Sequence, residues 1–288
     1  METPENLAEA LTLERIEVNL FRGVSPDDGP RRIFGGQVIA QSLLAAYGTV
    51  EDRVCHSIHC YFIRPGDPTV PIIFEVDRSR DGGSFTTRRV VAIQRGQQIF
   101  NLAASFQVAE EGYEHQSTMP QAPRPEDLPT ESDLIRAAIE HATPQQKTWM
   151  TRPRPIEMRA ADGVNRYEAG SARVLEPVSM AWFRARSPIG EDPHMHQVIM
   201  AYASDMSLLG TAIGPHGVTW ETPGLQAASL DHAMWFHKPS NFNDWHLYVH
   251  DSPSASGARG FSRGAIYHQD GTLVASVAQE GLIRMRKG

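Results

Sequence analysis

Ser229-Leu230-Asp231-His232-Ala233-Met234-Trp235-Phe236-His237-Lys238-Pro239 and Cys55-His56-Ser57-Ile58-His59-Cys60-Tyr61-Phe62-Ile63-Arg64-Pro65 read as two forms of one element. Setting Pro65 against Pro239 pairs Arg64 with Lys238, Phe62 with Phe236 and Tyr61 with Trp235. The echo extends outward. Gln37-Val38-Ile39 returns as Gln197-Val198-Ile199, and Gly260-Phe261-Ser262-Arg263 stands where Ser84-Phe85-Thr86-Thr87-Arg88 stood. The chain is therefore read as a duplicated domain. The second copy carries a hydroxyl, a carboxylate and two imidazoles in one short run, so a polar site is expected beside it.

The first unit is placed at residues 1–115. Gly35-Gly36 opens an apolar helical run, and strand-like runs follow at 55–63, 71–78, 85–94 and 98–108. Gly66-Asp67-Pro68, Asp81-Gly82-Gly83 and Arg95-Gly96 punctuate them as turns. Residues 116–155 are crowded with proline (Pro120, Pro123, Pro125, Pro129, Pro144, Pro153, Pro155), which removes backbone donors and reads as a linker. A short helix near 132–141 interrupts it. The second unit, 156–288, repeats the first: a helix over 194–213, then strands at 227–237, 245–252, 260–267 and 273–284. A helix set against an antiparallel sheet is an α+β arrangement. One long helix per curled sheet, twice over, describes a double hotdog.

A chain of 288 residues has room for two domains. A formal charge of −7 and the lack of any Lys/Arg run argue against nucleic acid as a partner. No window of about 18 apolar residues is present, so no membrane span is expected. The acidic start, Met1-Glu2-Thr3-Pro4-Glu5-Asn6, is unlike a signal peptide, and Arg286-Lys287-Gly288 is not a peroxisomal address. On one strand Cys55 and Cys60 would lie about 16 Å apart and point to opposite faces. Two reduced thiols fit a cytoplasmic protein. His194 and His196 form a His-x-His without further ligands at suitable spacing, so no metal is expected.

Asp205 stands out on physical grounds. On a continuous helix, Val198, Tyr202, position 205, Leu209 and Ala212 fall on one apolar stripe. A carboxylate there needs donors or an aqueous cleft. A capped turn or an Arg partner would meet the same need. Strand alternation groups Ser229 with Asp231, Ala233 and Trp235, and sets Leu230, His232, Met234 and Phe236 on the other face. Gln279 interrupts the apolar run Leu273 to Ile283 with a group that both donates and accepts. Backbone groups could satisfy it equally.

Several stretches resemble the acyl-CoA thioesterase II family. They are Ala228 to His237, Phe34-Gly35-Gly36-Gln37, His56 to Gly66, Arg89 to Gln94, Tyr202-Ala203-Ser204-Asp205 and Gln279-Glu280-Gly281. The resemblance runs in order over roughly residues 10–285. It implies a double-hotdog fold and a catalytic Asp, Thr/Ser and Gln at Asp205, Ser229 and Gln279. Many members carry Thr where this chain has Ser229. The implied reaction is hydrolysis of fatty acyl-CoA by a water that Asp205 activates and Ser229 and Gln279 hold. Coenzyme A belongs to the substrate, and no cofactor is expected. Gly35 and Gly36 are candidates for the oxyanion site, His59 for a supporting polar role, and Arg88 and Arg263 for phosphate contacts. No Gly-x-Ser-x-Gly elbow is present. Other hotdog acyl-thioester chemistry (enoyl-CoA hydration) and a non-catalytic acyl-CoA binder are the competing readings. Exposed sheet edges invite pairing, so a homo-oligomer is expected.

Overall fold

The computed structural model describes residues 6–25, 32–152, 154–164, 174–220 and 222–286. The first half contains α1 (Leu7–Leu11), β1 (Glu14–Glu17), β2 (Leu20–Gly23), α2 (Gly35–Tyr47), β3 (Val54–Phe62), β4 (Ile72–Asp81), β5 (Phe85–Gln94) and β6 (Gln97–Gln107). Two short helices, α3 (Glu131–Ala138) and α4 (Pro144–Thr151), lie between the halves, each started by a Thr capping box. The second half contains β7 (Ile156–Ala160), β8 (Val178–Ala185), α5 (Pro193–Ser204), α6 (Leu208–Ile213), β9 (Leu225–Ser229), β10 (Asp231–Phe236), β11 (His246–Ser256), β12 (Arg259–His268) and β13 (Leu273–Met285).

These strands form one antiparallel sheet in the order β1-β2-β4-β5-β6-β3-β10-β13-β12-β11-β8-β7, with β9 paired to β13. The two echoed stretches meet at its centre. β3 pairs with β10, Asp231 opposite Tyr61, Ala233 opposite His59 and Trp235 opposite Ser57. Pro65 and Pro239 lie 174 positions apart, as do His59 and Ala233. His59 thus faces its own equivalent, and the flanking pairs Tyr61–Asp231 and Ser57–Trp235 exchange under the same offset, so a local two-fold passes between His59 and Ala233.

Inside the curl, α2 is buried on nearly every side, as its mostly apolar sequence requires, and it carries Gln37, Gln41 and Ser42 inward with it. It runs antiparallel to α5. Tyr47 at the end of α2 stacks on His194 at the start of α5, with ring centroids 4.2 Å apart. At the other end a Cβ on Gly36 would sit 2.2 Å from the Tyr202 carbonyl oxygen, so only glycine allows the helices to touch there. One core cluster draws on both halves, including Phe74, Phe100, Phe106, Phe183 and Tyr248.

Both repeats carry the same β-bulge. Cys55 faces Phe106 but Ser57 faces Ser105, leaving His56 extra. In the second copy Ser229 faces Gly281 while Ala233 faces Ala278, four steps against three. The bulge splits the expected single strand 227–237 into β9 and β10. It also corrects the reading of the thiols: with one residue extra between them, Cys55 and Cys60 both point inward and are buried.

The proline-rich segment crosses the outer face of the second half. Trp182 Nε1–H donates to the Pro123 carbonyl at 2.8 Å. Met119, Ala122 and Leu128 cover a small cluster of Trp182, Trp245, Leu247 and Tyr267.

Candidate active site

The helix expected over 194–213 is two helices. α5 ends at Ser204, Asp205 is its C-cap, and Ser207 takes a left-handed conformation (φ 71°) before α6 begins. Asp205 therefore does not project from a continuous apolar stripe. The break turns its carboxylate toward the start of α2. There the N-cap residue, Phe34, supplies no side-chain cap. Asp205 fills that role from the other repeat by accepting the Gly36 N–H. A helix N-terminus has free N–H groups and favours negative charge. A Cβ on Gly35 would lie 2.5 Å from Asp205 Oδ2 and 2.8 Å from the Phe62 ring, so the approach depends on glycine.

Two more donors converge on the same carboxylate. Gln279 Nε2 donates to Asp205 Oδ1 at 3.2 Å, and Ser229 Oγ donates to that oxygen at 3.4 Å. Gln279 Nε2 also donates to Ser229 Oγ. Gln279 is buried, whereas Asp205 and Ser229 retain partial solvent access. The bulge makes this set possible. Period-two alternation groups Ser229 with Asp231, Ala233 and Trp235. The extra residue turns Ser229 to the inner face instead, beside Gln279.

Behind these three lies a residue that the sequence reading left out of the site. His232 is buried, with Nδ1 2.9 Å from Gln279 Oε1 and Nε2 2.9 Å from Ser204 Oγ. The available signal was a histidine on a face otherwise made of Leu, Met and Phe, where a buried polar group must have partners.

Burial raises the Asp205 carboxyl to about 7, against the opposing donors Gln279, the Gly36 N–H and Ser229. Burial also lowers His232 to about 4, partly offset by the Gln279 oxygen. Near neutral pH the site thus holds a neutral imidazole and a carboxylate whose proton affinity suits a general base.

The other expected residues lie elsewhere. His59 is exposed on the outer face of the sheet, edge-on to Trp235 at 5.1 Å, while Asp205 lies on the inner side; it is not part of the cluster. Arg88 is buried and uses all its donors internally: Thr49 Oγ1 and O, the Arg80 and Thr87 carbonyls, and Asp81. It anchors the far end of α2, about 20 Å from Asp205 at 1.5 Å per residue. Buried and with its donors engaged inside the protein, it offers none to a phosphate. Arg263 is ion-paired with Asp251 on the outer face and borders a hollow of about 400 Å3 beside Val249 and Ala265. Ser262, its neighbour, faces inward opposite Gln279.

Comparison with known proteins agrees along nearly the whole chain. A family model described as acyl-CoA thioesterase matches residues 165–282, and one described as acyl-CoA thioesterase N-terminal domain matches 25–107. Acyl-CoA thioesterase 2 of Haemophilus influenzae is 40% identical over 280 residues, covering 97% of each chain. The crystal structure of acyl-CoA thioesterase II TesB2 from Mycobacterium marinum superposes with a TM-score of 0.77 at 42% identity, over 97% of this chain and 98% of that one. A hot dog fold protein from Alicyclobacillus acidocaldarius, 19% identical, shares the fold with a TM-score of 0.75 over 96% and 97% of the two chains.

Proposed function

This chain belongs to the acyl-CoA thioesterase family, and we propose that it hydrolyses fatty acyl-CoA through a water deprotonated by Asp205 and held by Ser229 and Gln279. The products are the free acid and coenzyme A. The observation that carries the mechanism is the convergence of Ser229 Oγ and Gln279 Nε2 on Asp205 Oδ1.

The chemistry asks little more of the protein. The water oxygen adds to the thioester carbonyl carbon as its proton passes to Asp205. The tetrahedral oxyanion then re-forms the carbonyl and expels the thiolate as the carbon–sulfur bond breaks. A thiol of pKa about 8.5 leaves readily, and the proton on Asp205 can neutralise it. No acyl-enzyme forms, so Ser229 serves as a hydrogen-bonding group and not as a nucleophile. Partial solvent access at Asp205 and Ser229, with Gln279 buried behind them, lets water and substrate meet a fixed set of donors.

Free-thiol release over a series of acyl-CoA lengths tests this reading. Asp205→Asn is expected to lose about 10²–10⁴-fold in kcat, the size of a general-base contribution, while still binding acyl-CoA. Turnover at the parent rate in that variant would remove Asp205 from the mechanism. Assembly through the end strands β1 and β7 belongs to the same reading, and the mass in solution by light scattering checks it.

A further inference from the structure

Gln279 can act only if its amide faces the right way. With the NH2 group toward Asp205 and Ser229, the amide supports an ionised carboxylate. Rotated by half a turn, it would set a carbonyl oxygen against that carboxylate. We propose that His232 is the positioning residue that fixes this choice, carrying its proton on Nδ1 and donating it to Gln279 Oε1. This inference rests on the mechanism proposed above.

The orientation of the Gln279 amide, with Nε2 toward Asp205, sets the direction of the chain behind it. Gln279 Oε1 lies 2.9 Å from His232 Nδ1, so an N–H there holds the oxygen end of the amide away from Asp205. Nε2 is then an acceptor, and Ser204 Oγ, 2.9 Å away, meets it by turning its one hydroxyl proton from the Ala201 carbonyl, also at 2.9 Å, to the ring. Ser204 is itself placed by Tyr248, whose hydroxyl donates to the Ser204 carbonyl at 2.8 Å. With the Ser204 hydroxyl turned to the ring, the protons of Ser204, His232 and Gln279 all point toward Asp205. Reversing the imidazole tautomer would direct a lone pair at Gln279 Oε1, or force the amide to rotate.

The duplicated repeat is an internal control. Counting back 174 positions along the strands, His232 becomes Ile58. Gln37 and Gln197 set the helix offset at 160, so Ser204 becomes Leu44 and Asp205 becomes Ala45. Ile58 pairs with Ala104, the counterpart of Gln279. The same strand and helix thus form in the first copy with apolar residues at all four positions. The fold does not need a histidine there. His232 and Ser204 occur in the copy that has the carboxylate and the amide.

Two measurements test the proposal. In 15N NMR, the His232 ring is expected as the Nδ1–H tautomer; an Nε2–H tautomer overturns the assignment without reference to activity. In thiol-release kinetics, His232→Leu is expected to lose about 10–100-fold in kcat with KM unchanged, as a small misplacement of a catalytic group does. His232→Asn, whose amide sits near the Nδ1 position, should recover to within about 5-fold, because a donor is restored. In a Gln279→Ala background, His232→Leu should cost nothing more. A parent-like kcat in His232→Leu, or an equal loss on top of Gln279→Ala, sinks the proposal. Full activity in Asp205→Asn would instead sink the mechanism it rests on.

Discussion

At the residue scale, Asp205 trades stability for reactivity. Its carboxyl is raised from 3.8 to about 7, chiefly by burial. A base must be ionised, so kcat/KM should climb with pH through an apparent pKa near 7 and level off above it. Stability has the opposite sign. The folded protein holds the proton more tightly than the unfolded chain, and that preference is complete below about pH 4. It disappears as pH rises through about 7. Asp205→Asn removes the titration. Its stability relative to the parent should be similar near pH 4 and greater by on the order of 1–2 kcal/mol at pH 8, partial solvent access discounting the full effect of the shift. His232, lowered from 6.5 to about 4, weakens both proteins alike as pH falls through that range, so it drops out of the difference. Denaturant unfolding of both proteins at several pH values reads the gap. A gap that does not change with pH would mean that the carboxylate is not desolvated.

At the scale of the element, the site depends on one break and one bulge. The left-handed Ser207 ends α5 so that Asp205 can reach α2, and the extra residue between β9 and β10 turns Ser229 inward. Gly35 completes the junction. Gly35→Ala should cost at least about 100-fold in kcat by displacing the carboxylate, with a stability loss of about 1–3 kcal/mol from overpacking. Gly83→Ala, where an added Cβ meets nothing within 4 Å, is the control. Normal turnover in Gly35→Ala would show that the carboxylate tolerates displacement. These devices mark the limit of sequence legibility. Strands bounded by turns were readable, and the run 85–94 coincides with β5. A one-residue bulge alters no composition, and a serine gives no warning of a positive φ. The strands β1, β2, β7 and β8 left weaker traces. All four residues of β1 are exposed, so it has no alternation. β8 has its outer face under the proline-rich segment and lacks it for the opposite reason. Asp205 was found through a periodicity that the helix does not sustain. The anomaly was real, a carboxylate among apolar neighbours, although the helix carrying it stops there.

At the scale of the molecule, the halves are joined by their interior more than by their connection. The central pair β3–β10 supplies backbone pairing across the seam, α2 packs against α5, and the Gly36 N–H meets Asp205 from the other repeat. The first half alone would expose β3 as a free edge and uncover Ile58 and Cys60, a combination that invites aggregation. The covalent link, by contrast, leaves the first half through residues 109–118, which are exposed and outside any helix or strand. Gln116 then fastens it to β13 and the preceding turn, donating to the Gly271 carbonyl at 2.8 Å and accepting the Leu273 N–H at 3.1 Å. A cut before Gln116 should therefore leave the fold whole. With a protease site introduced at Glu111-Gly112, cleavage of the folded protein should give two fragments that co-elute on gel filtration. Thioesterase activity should stay within about 2-fold of the uncut chain, as expected for a nick in an exposed loop that carries no packing. Expressed apart, the first fragment should be insoluble. Separation of the fragments after the cut, or loss of turnover while they stay together, would mean that the link itself holds the two repeats in register.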